Sequence, residues 1–400
     1  MAEWKEYTVA DVISTVIDYR GKTPKKLGGD WSDSGYRALS AKNIKTGKIV
    51  QPESIRYVSA DMYRCWMKEE VQKEDIFITS EAPFGQIYYW NSDEKIVLSQ
   101  RLFAVRVNQR FYPKYIYFYM TSSFFQSELD GRATGTTVVG LRQPELLKCK
   151  IFAPDYQEQK RIADILWCIE QKINNNEAIN NNLLEQVLTL YRNKFVDTAN
   201  DERRICRADE YFDISIGKTP PRKEPQWFST NPQDITWVSI SDMGNCGLYI
   251  SSSSEQLTKE ALDRHNVKVV PDNTVLLSFK LTVGRIAITN GEMTTNEAIA
   301  HFKTDKKEIN EYLYCYLKCF NYQTMGSTSS IATAVNSKII KGMPFVVPID
   351  DELKEFHDFA APMFAKIKAN QIETGNLIAL RDALLPKLMS GELDVSNIDI

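Results

Sequence analysis

The chain has 400 residues, 25% of them charged and 43% hydrophobic, with a formal net charge of −3. That length implies two or three domains, and the near-neutral balance excludes a polycation that binds nucleic acid by bulk charge alone. No apolar run reaches the ~18 residues of a membrane span, and the first residues carry Glu3, Lys5 and Glu6, so neither a signal peptide nor an anchor is expected.

Taken in chain order, the elements repeat. GKTP stands at 21–24 and again at 217–220; LSAKNI (39–44) parallels VSISDM (238–243). DIFITSEAPFGQI (75–87) parallels TVLLSFKLTVGRI (274–286), with Gly85 matching Gly284. YIYFYM (115–120) parallels YLYCYL (312–317), and IFAP (151–154) parallels FVVP (345–348). All five matches are collinear with offsets of 194 to 199, so the chain is a duplication of a unit near 195 residues. Each unit opens with a β-rich part. IFIT, GQIYYW, LFAVRV, TVLLSF and GRIAIT are β-branched and aromatic runs between turn signals, and one short helix is expected near 113–128 and near 308–320. The tyrosines Tyr112, Tyr115, Tyr117 and Tyr119 recur as Tyr312, Tyr314 and Tyr316, a helical spacing that points to core packing and away from a base-stacking platform.

The second part of each unit reads as a long helix. Ile162, Leu166, Ile169, Ile173, Leu183, Val187 and Leu190 alternate in steps of four and three, and Phe356, Ala360, Met363, Ile367, Leu377 and Leu384 follow the same frame. This is a heptad seam, about 39 residues and hence ~60 Å long. Its cheapest partner is the matching helix of the other repeat, lying antiparallel with one domain at each end. Asn176 and Asn180 interrupt the first seam where Asn370 and Thr374 interrupt the second; an antiparallel pairing brings the four together as a polar layer that fixes register. The fold class is therefore α+β: a tandem, pseudo-symmetric pair of β-rich domains (1–155 and 199–349) joined by two long antiparallel coiled-coil helices (156–198 and 350–400).

No catalytic constellation emerges. GKTP lacks the glycine five residues before its Gly-Lys pair, where Val16 and Phe212 stand, so it is not a phosphate loop. No G-x-G-x-x-G follows a strand, and Asn231-Pro232-Gln233 lacks the second proline and the aromatic of an amino-methyltransferase. Seven cysteines without a C-x-x-C pair and three histidines predict reduced thiols in a cytoplasmic protein and no metal site. Residues 1–155 hold 22 basic and 19 acidic residues and 199–349 hold 17 of each, whereas 350–400 hold 5 and 10, so acidity is concentrated in the helical parts.

The layout resembles the specificity subunit of type I restriction-modification systems over essentially the whole chain. The resemblance is carried by PDYQEQKRIADIL (154–166), by LRDALLPKLMSGELDV (380–395) and by the strand–GKTP opening of each β-rich part; PIDDELKEF (348–356) departs by lacking the Glu-Gln pair. It implies that each β-rich part is a target recognition domain reading one half of a split site in double-stranded DNA. It further implies that the helices are conserved spacers that set the half-site separation and dock two modification (methyltransferase) subunits, which restriction subunits join. The chain itself would need no cofactor, with S-adenosylmethionine, ATP and Mg in the partner subunits. The competing expectation is a duplicated protein-interaction scaffold with no role on DNA.

Under the first reading, exposed loop donors and acceptors are the candidate DNA contacts. Lys22 and Thr23, with Lys218 and Thr219, open the two domains. Ser40, Lys42 and Asn43, with Ser241 and Asp242, follow a strand. Ser80, Glu81 and Gln86, with Lys280 and Arg285, flank the shared glycine, and Gln100 and Arg101, with Asn296 and Glu297, precede the next strand. The Gly/Ser/Thr-rich stretches 131–141 and 326–335 add Arg132, Thr134, Thr136, Thr137, Thr328 and Ser329 as phosphate contacts.

Overall fold

Successive side chains of a strand point to opposite faces, and the central strands bury both. In Ile76–Thr79 the residues Ile76 and Ile78 enter one core cluster and Phe77 another. In Val275–Ser278, Val275 and Leu277 enter one and Leu276 another. That two-sided burial is why these strands read as unbroken apolar runs and not as alternation. The computed structural model describes residues 4–135, 139–198, 203–325 and 335–395. They form two compact units, 1–173 with 376–400 and 174–375. The division cuts both long helices, where the sequence reading put domain limits at their ends.

In the first unit a four-stranded antiparallel sheet runs in the order Ile13–Asp18, Leu102–Val107, Ile76–Thr79, Ile87–Tyr89. A three-stranded sheet orders Arg56–Val58, Tyr36–Leu39 and Val97–Leu98, the last pair parallel. Lys5–Thr8 pairs with Lys150–Ala153. The predicted short helix is two, Pro113–Thr121 and Ser123–Arg132, broken at Ser122, whose extended backbone ends the first. Tyr115, Tyr117 and Tyr119 are buried, as the sequence spacing implied.

In the second unit the corresponding sheet orders Asp213–Ile216, Ile299–Lys303, Val275–Ser278, Ile286–Thr289, Tyr249–Ile250. A four-stranded sheet orders Phe228–Ser229, Glu255–Leu257, Ile235–Val238, Thr294–Thr295, again with a parallel last pair. Ile205–Arg207 pairs with Pro344–Val346, and the helix Asn310–Cys319 buries Tyr312, Tyr314 and Tyr316.

The central helix is Tyr156–Tyr191 and the C-terminal helix Asp350–Met389. The PDYQEQ motif has a local explanation. Asp155 accepts the amide protons of Gln157 and Glu158, each at 3.0 Å, and so caps the helix. The buried Gln159 donates to the Pro154 carbonyl and accepts from the Tyr112 amide, both at 2.9 Å, which fastens the cap to the β-rich part. At the other end of the motif set, Gly391 has φ +73 and a β-carbon there would meet the Trp4 ring at 2.8 Å, so glycine is required to end the C-terminal helix in this way.

Each unit contains a stretch of both helices, running antiparallel. In the first, Ile162, Ala163 and Leu166 share a core with Leu388 and Met389, and Arg381 donates to the buried Glu170 at 2.9 Å. In the second, Val187, Leu188 and Tyr191 share a core with Phe356, Ala360, Phe364 and Ile367. No helix among the described residues is long and apolar enough to cross a membrane.

Candidate nucleic-acid interface

The loops that leave the strands of each unit are tied by a backbone pattern that recurs nearly bond for bond. In the first unit the Ser99 amide donates to Leu39 at 2.7 Å, the Ser80 amide to Arg101 at 2.8 Å and the Gly85 amide to Thr79 at 3.1 Å. In the second, the Asn296 amide donates to Val238 at 2.9 Å, the Phe279 amide to Ala298 at 2.9 Å and the Gly284 amide to Ser278 at 3.0 Å. Buried strand ends thus fix the roots of three loops at one edge of each domain.

In the first unit these loops converge. A cleft of about 460 Å³ is lined by Arg20, Ser80, Glu81, Gln100, Arg101, Thr134, Gly140, Leu141 and Arg142. A neighbouring cleft of about 310 Å³ shares Gln100 and Arg101 and adds Trp31, Ser40, Lys42, Asn43 and Arg56. Lys42, Gln100 and Arg142 are exposed. Arg101 has its backbone at φ +63 and its guanidinium 2.9 Å from Glu81. Thr134 exchanges two backbone hydrogen bonds with Gly140, both 2.9 Å, beside the cleft. Ser40, Lys42, Ser80, Glu81, Gln100, Arg101 and Thr134, scattered over 95 positions of sequence, therefore lie around two adjoining clefts.

Several sequence-selected residues are turned to internal work. Asn43 is buried, accepts from the amide and hydroxyl of Ser40, and donates to Ser54 at 3.0 Å and to Gln51 at 3.3 Å. Ser40 and Asn43 form a capping box, and Ser239 with Asp242 forms the equivalent one. Burial raises the Asp242 pKa, but the Ser239 hydroxyl and the amides of Ser239 and Ser254 outweigh it and leave the carboxyl below its ordinary value. Gln86 spends its carbonyl on Thr46, accepting its amide proton at 3.0 Å. Lys22 donates to the Trp66 carbonyl at 2.9 Å and lies over the Tyr19 ring, and Thr23 accepts from the Lys26 amide at 3.3 Å. Arg132 lies between Glu128 at 3.2 Å and Glu145 at 3.7 Å. Ser80 is buried at the rim.

The second unit is similar in kind. Arg285 donates to the Ile240 carbonyl at 2.6 Å and packs so tightly on Gly244 that a β-carbon there would come within 2.4 Å of it. Asn296 accepts from the Ala298 amide at 3.1 Å. The Thr219 hydroxyl donates to Glu297, which brings the GKTP loop against the loop before the next strand; Lys218 donates its amide to Thr295 at 2.9 Å while its side chain is exposed. Ser241 and Lys280 are exposed. Thr136, Thr137, Thr328 and Ser329 lie outside the described residues. The polar seam residues fall in this unit: buried Asn176 donates to Glu373 at 2.8 Å and to Thr374 at 3.4 Å, and buried Asn370 donates to Asn180 at 2.8 Å.

Sequence reasoning missed Arg20, Arg56, Arg142 and Trp31. A tryptophan inside the Gly/Asp/Ser-rich stretch 28–35 was the available signal, since such a ring has little local reason to be there. Arg20, held by Asp18 at 2.8 Å and the Leu141 carbonyl at 3.1 Å over the Phe103 ring, is a clamp on the cleft wall. Chemically, the first unit presents guanidinium, ammonium and amide groups on open loops with no three histidine, cysteine or acidic residues grouped to hold a metal ion among the described residues. That is equipment for recognising a polyanion with polar edges.

Residues 1–185 and 202–377 match the type I restriction modification DNA specificity domain. The type I restriction enzyme MjaIX specificity subunit of Methanocaldococcus jannaschii is 25% identical over 352 residues, which cover 82% of this chain and 79% of that one. The HindI specificity subunit of Haemophilus influenzae is 20% identical, covering 98% and 100%. A crystal structure of the type I restriction-modification S subunit of M. genitalium aligns with a TM-score of 0.59 at 15% identity, over 97% of this chain and 96% of that one, a likeness of fold. The chain thus belongs to the type I restriction modification DNA specificity family, whose domain it carries twice in tandem.

Proposed function

We propose that the chain is the non-catalytic DNA-recognition subunit of a type I restriction-modification complex in the cytoplasm. Each β-rich part (1–155 and 199–349) reads one half of a bipartite site in double-stranded DNA. The long helices (156–198 and 350–400) set the number of unread base pairs and dock two methyltransferase subunits, which bring S-adenosylmethionine; restriction subunits bring the ATP- and Mg-dependent chemistry. The observation that carries this reading is the convergence of loops around 40–42, 80–81 and 99–101 on one pair of clefts, from a backbone frame that the second unit repeats. The helix pair contributes to both units, so its register feeds directly into the spacing. Polar pairs of a buried asparagine with a half-buried partner, Asn176 with Thr374 and Asn370 with Asn180, favour one register over its neighbours.

The test is to map methylated adenines in a host genome with and without the gene. Loss of one split motif is the expected result; an unchanged methylation map overturns the proposal and leaves the scaffold reading. In the same assay, Asn176→Leu with Asn370→Leu is expected to keep both half-sites but admit a second spacer length. An unaltered single spacer would remove the register role from these residues.

A further inference from the structure

The loops 80–85 and 279–284 have the same root and different tips. Each leaves a fully buried strand, and each has a non-glycine residue in the left-handed region at the same position, Ala82 at φ +43 and Leu281 at φ +60. That conformation is disfavoured for any residue with a β-carbon, and such outliers concentrate where a loop must present a group. Leu281 is 100% exposed, so no described residue of its unit covers a side chain that loses most by standing in water. In the first unit the prominent group is instead Arg101, 49% exposed at its side chain and oriented by Glu81 at 2.9 Å. The repeat exchanges these roles: the position of Glu81 is Lys280, and that of Arg101 is Ala298, which is 6% exposed. The second unit has therefore lost the guanidinium and gained a bare aliphatic tip.

Base edges in the major groove offer a distinct match for each. A guanidinium can donate twice to N7 and O6 of guanine, whereas an aliphatic group contacts the 5-methyl of thymine. We infer that Arg101 reads a guanine in one half-site and Leu281 reads a thymine methyl in the other. The repeated frame thus carries a polar reader in the first unit and an apolar one in the second. This rests on the DNA-recognition reading above and goes further by naming the bases.

The experiment uses the full chain assembled with its methyltransferase subunits and duplexes bearing the mapped motif. Each guanine is replaced in turn by 7-deazaguanine, which lacks N7, and each thymine by uracil, which lacks the methyl. With the wild-type complex, one 7-deazaguanine position is expected to weaken binding about tenfold, as for a lost hydrogen bond to a charged donor. One uracil position in the other half-site is expected to weaken it about fourfold, as for one methyl removed from contact. Arg101→Ala should abolish the first sensitivity and keep the second; Leu281→Ala should do the reverse, so the unaffected half-site reports that the complex is intact. Retention of every sensitivity in these variants, or a uniform loss of affinity on all duplexes as from a phosphate contact, overturns the inference. A wild-type complex that shows no motif at all would instead sink the DNA-recognition reading.

Discussion

The two units keep one backbone frame and settle the polar groups buried within it differently. Arg106 and Lys303 occupy the same place on the strands next to Ile76–Thr79 and Val275–Ser278, as do Ala104 and His301. In the first unit Arg106 forms a two-pronged pair with the buried Asp75 at 2.9 and 3.0 Å. In the second, Asp75 is replaced by Thr274, whose hydroxyl has no hydrogen-bond partner among the described residues, and Lys303 reaches the exposed Asp213 at 2.6 Å. His301 stands buried where the first unit has a small apolar residue, its ring nitrogens 3.0 Å from the Ser215 hydroxyl and 2.7 Å from that of Thr295. The sheet fixes what is buried and which amides are paired; within it the ion pair of Arg106 with Asp75 and the imidazole of His301 are answered by their neighbours, while the Thr274 hydroxyl is left without a hydrogen bond among the described residues.

The largest effect should come from the pair that burial makes indispensable. Arg106→Ala strands the Asp75 carboxylate, 1% exposed, without its counter-charge. Truncating one partner of such a pair costs roughly 3–5 kcal/mol. Lys303→Ala, with its carboxylate partner 73% exposed, should cost under ~1 kcal/mol. Urea unfolding of both variants checks this, and equal losses would break the comparison.

A pH scan probes the imidazole. Burial, with a smaller contribution from Lys303, pushes the His301 pKa down to about 3 from its ordinary 6.5. The folded state then holds this ring neutral while the unfolded chain takes up a proton, so stability is full above pH ~6.5 and is lost as pH falls toward ~3. At pH 5 the loss attributable to this group is on the order of 2 kcal/mol. His301→Gln should flatten the difference between urea midpoints measured at pH 7 and pH 5. If the variant keeps the wild-type slope, some other group carries the acid sensitivity.

Much of this frame could be read from the sequence, because it is written in periodicity. The apolar runs at Ile76–Thr79 and Val275–Ser278 and the heptad seams over Tyr156–Tyr191 and Asp350–Met389 leave few alternatives. The seam's exception was harder: Arg381 falls on the frame of Leu377 and Leu384, and only the opposing Glu170 makes sense of it. Loop chemistry was legible in location and less so in role. Asn43 and Asp242 read as polar loop residues, yet Ser-x-x-Asn and Ser-x-x-Asp at 40–43 and 239–242 already spell a capping box. Arg285 could not be placed without knowing that Gly244, 41 positions away, opens a slot for it. Leu281 is not legible in the sequence, where an exposed leucine is unremarkable; it becomes informative only because no described residue covers it.

The smallest predicted effect is the sharpest test of equivalence. Tyr115 in the first unit donates its hydroxyl to the Phe152 carbonyl at 2.8 Å, and Tyr312 in the second donates to the Val346 carbonyl at 2.8 Å. Both rings are fully buried, and both bonds tie a helix to the strand that pairs with the unit's opening strand. Removing either hydroxyl leaves a strand carbonyl short of one donor while hardly changing packing, so Tyr115→Phe and Tyr312→Phe should each cost about 1 kcal/mol. The rings have different neighbours: Tyr312 lies edge-on to Tyr191 and Phe195 at 5.4 and 4.9 Å, whereas Tyr115 lies 6.3 Å from Tyr119. Equal losses by urea unfolding would mean that the shared bond, and not the aromatic surroundings, sets the energy of this joint. A difference above ~1 kcal/mol would show that duplication preserved the geometry of the bond while letting its worth drift with the core around it.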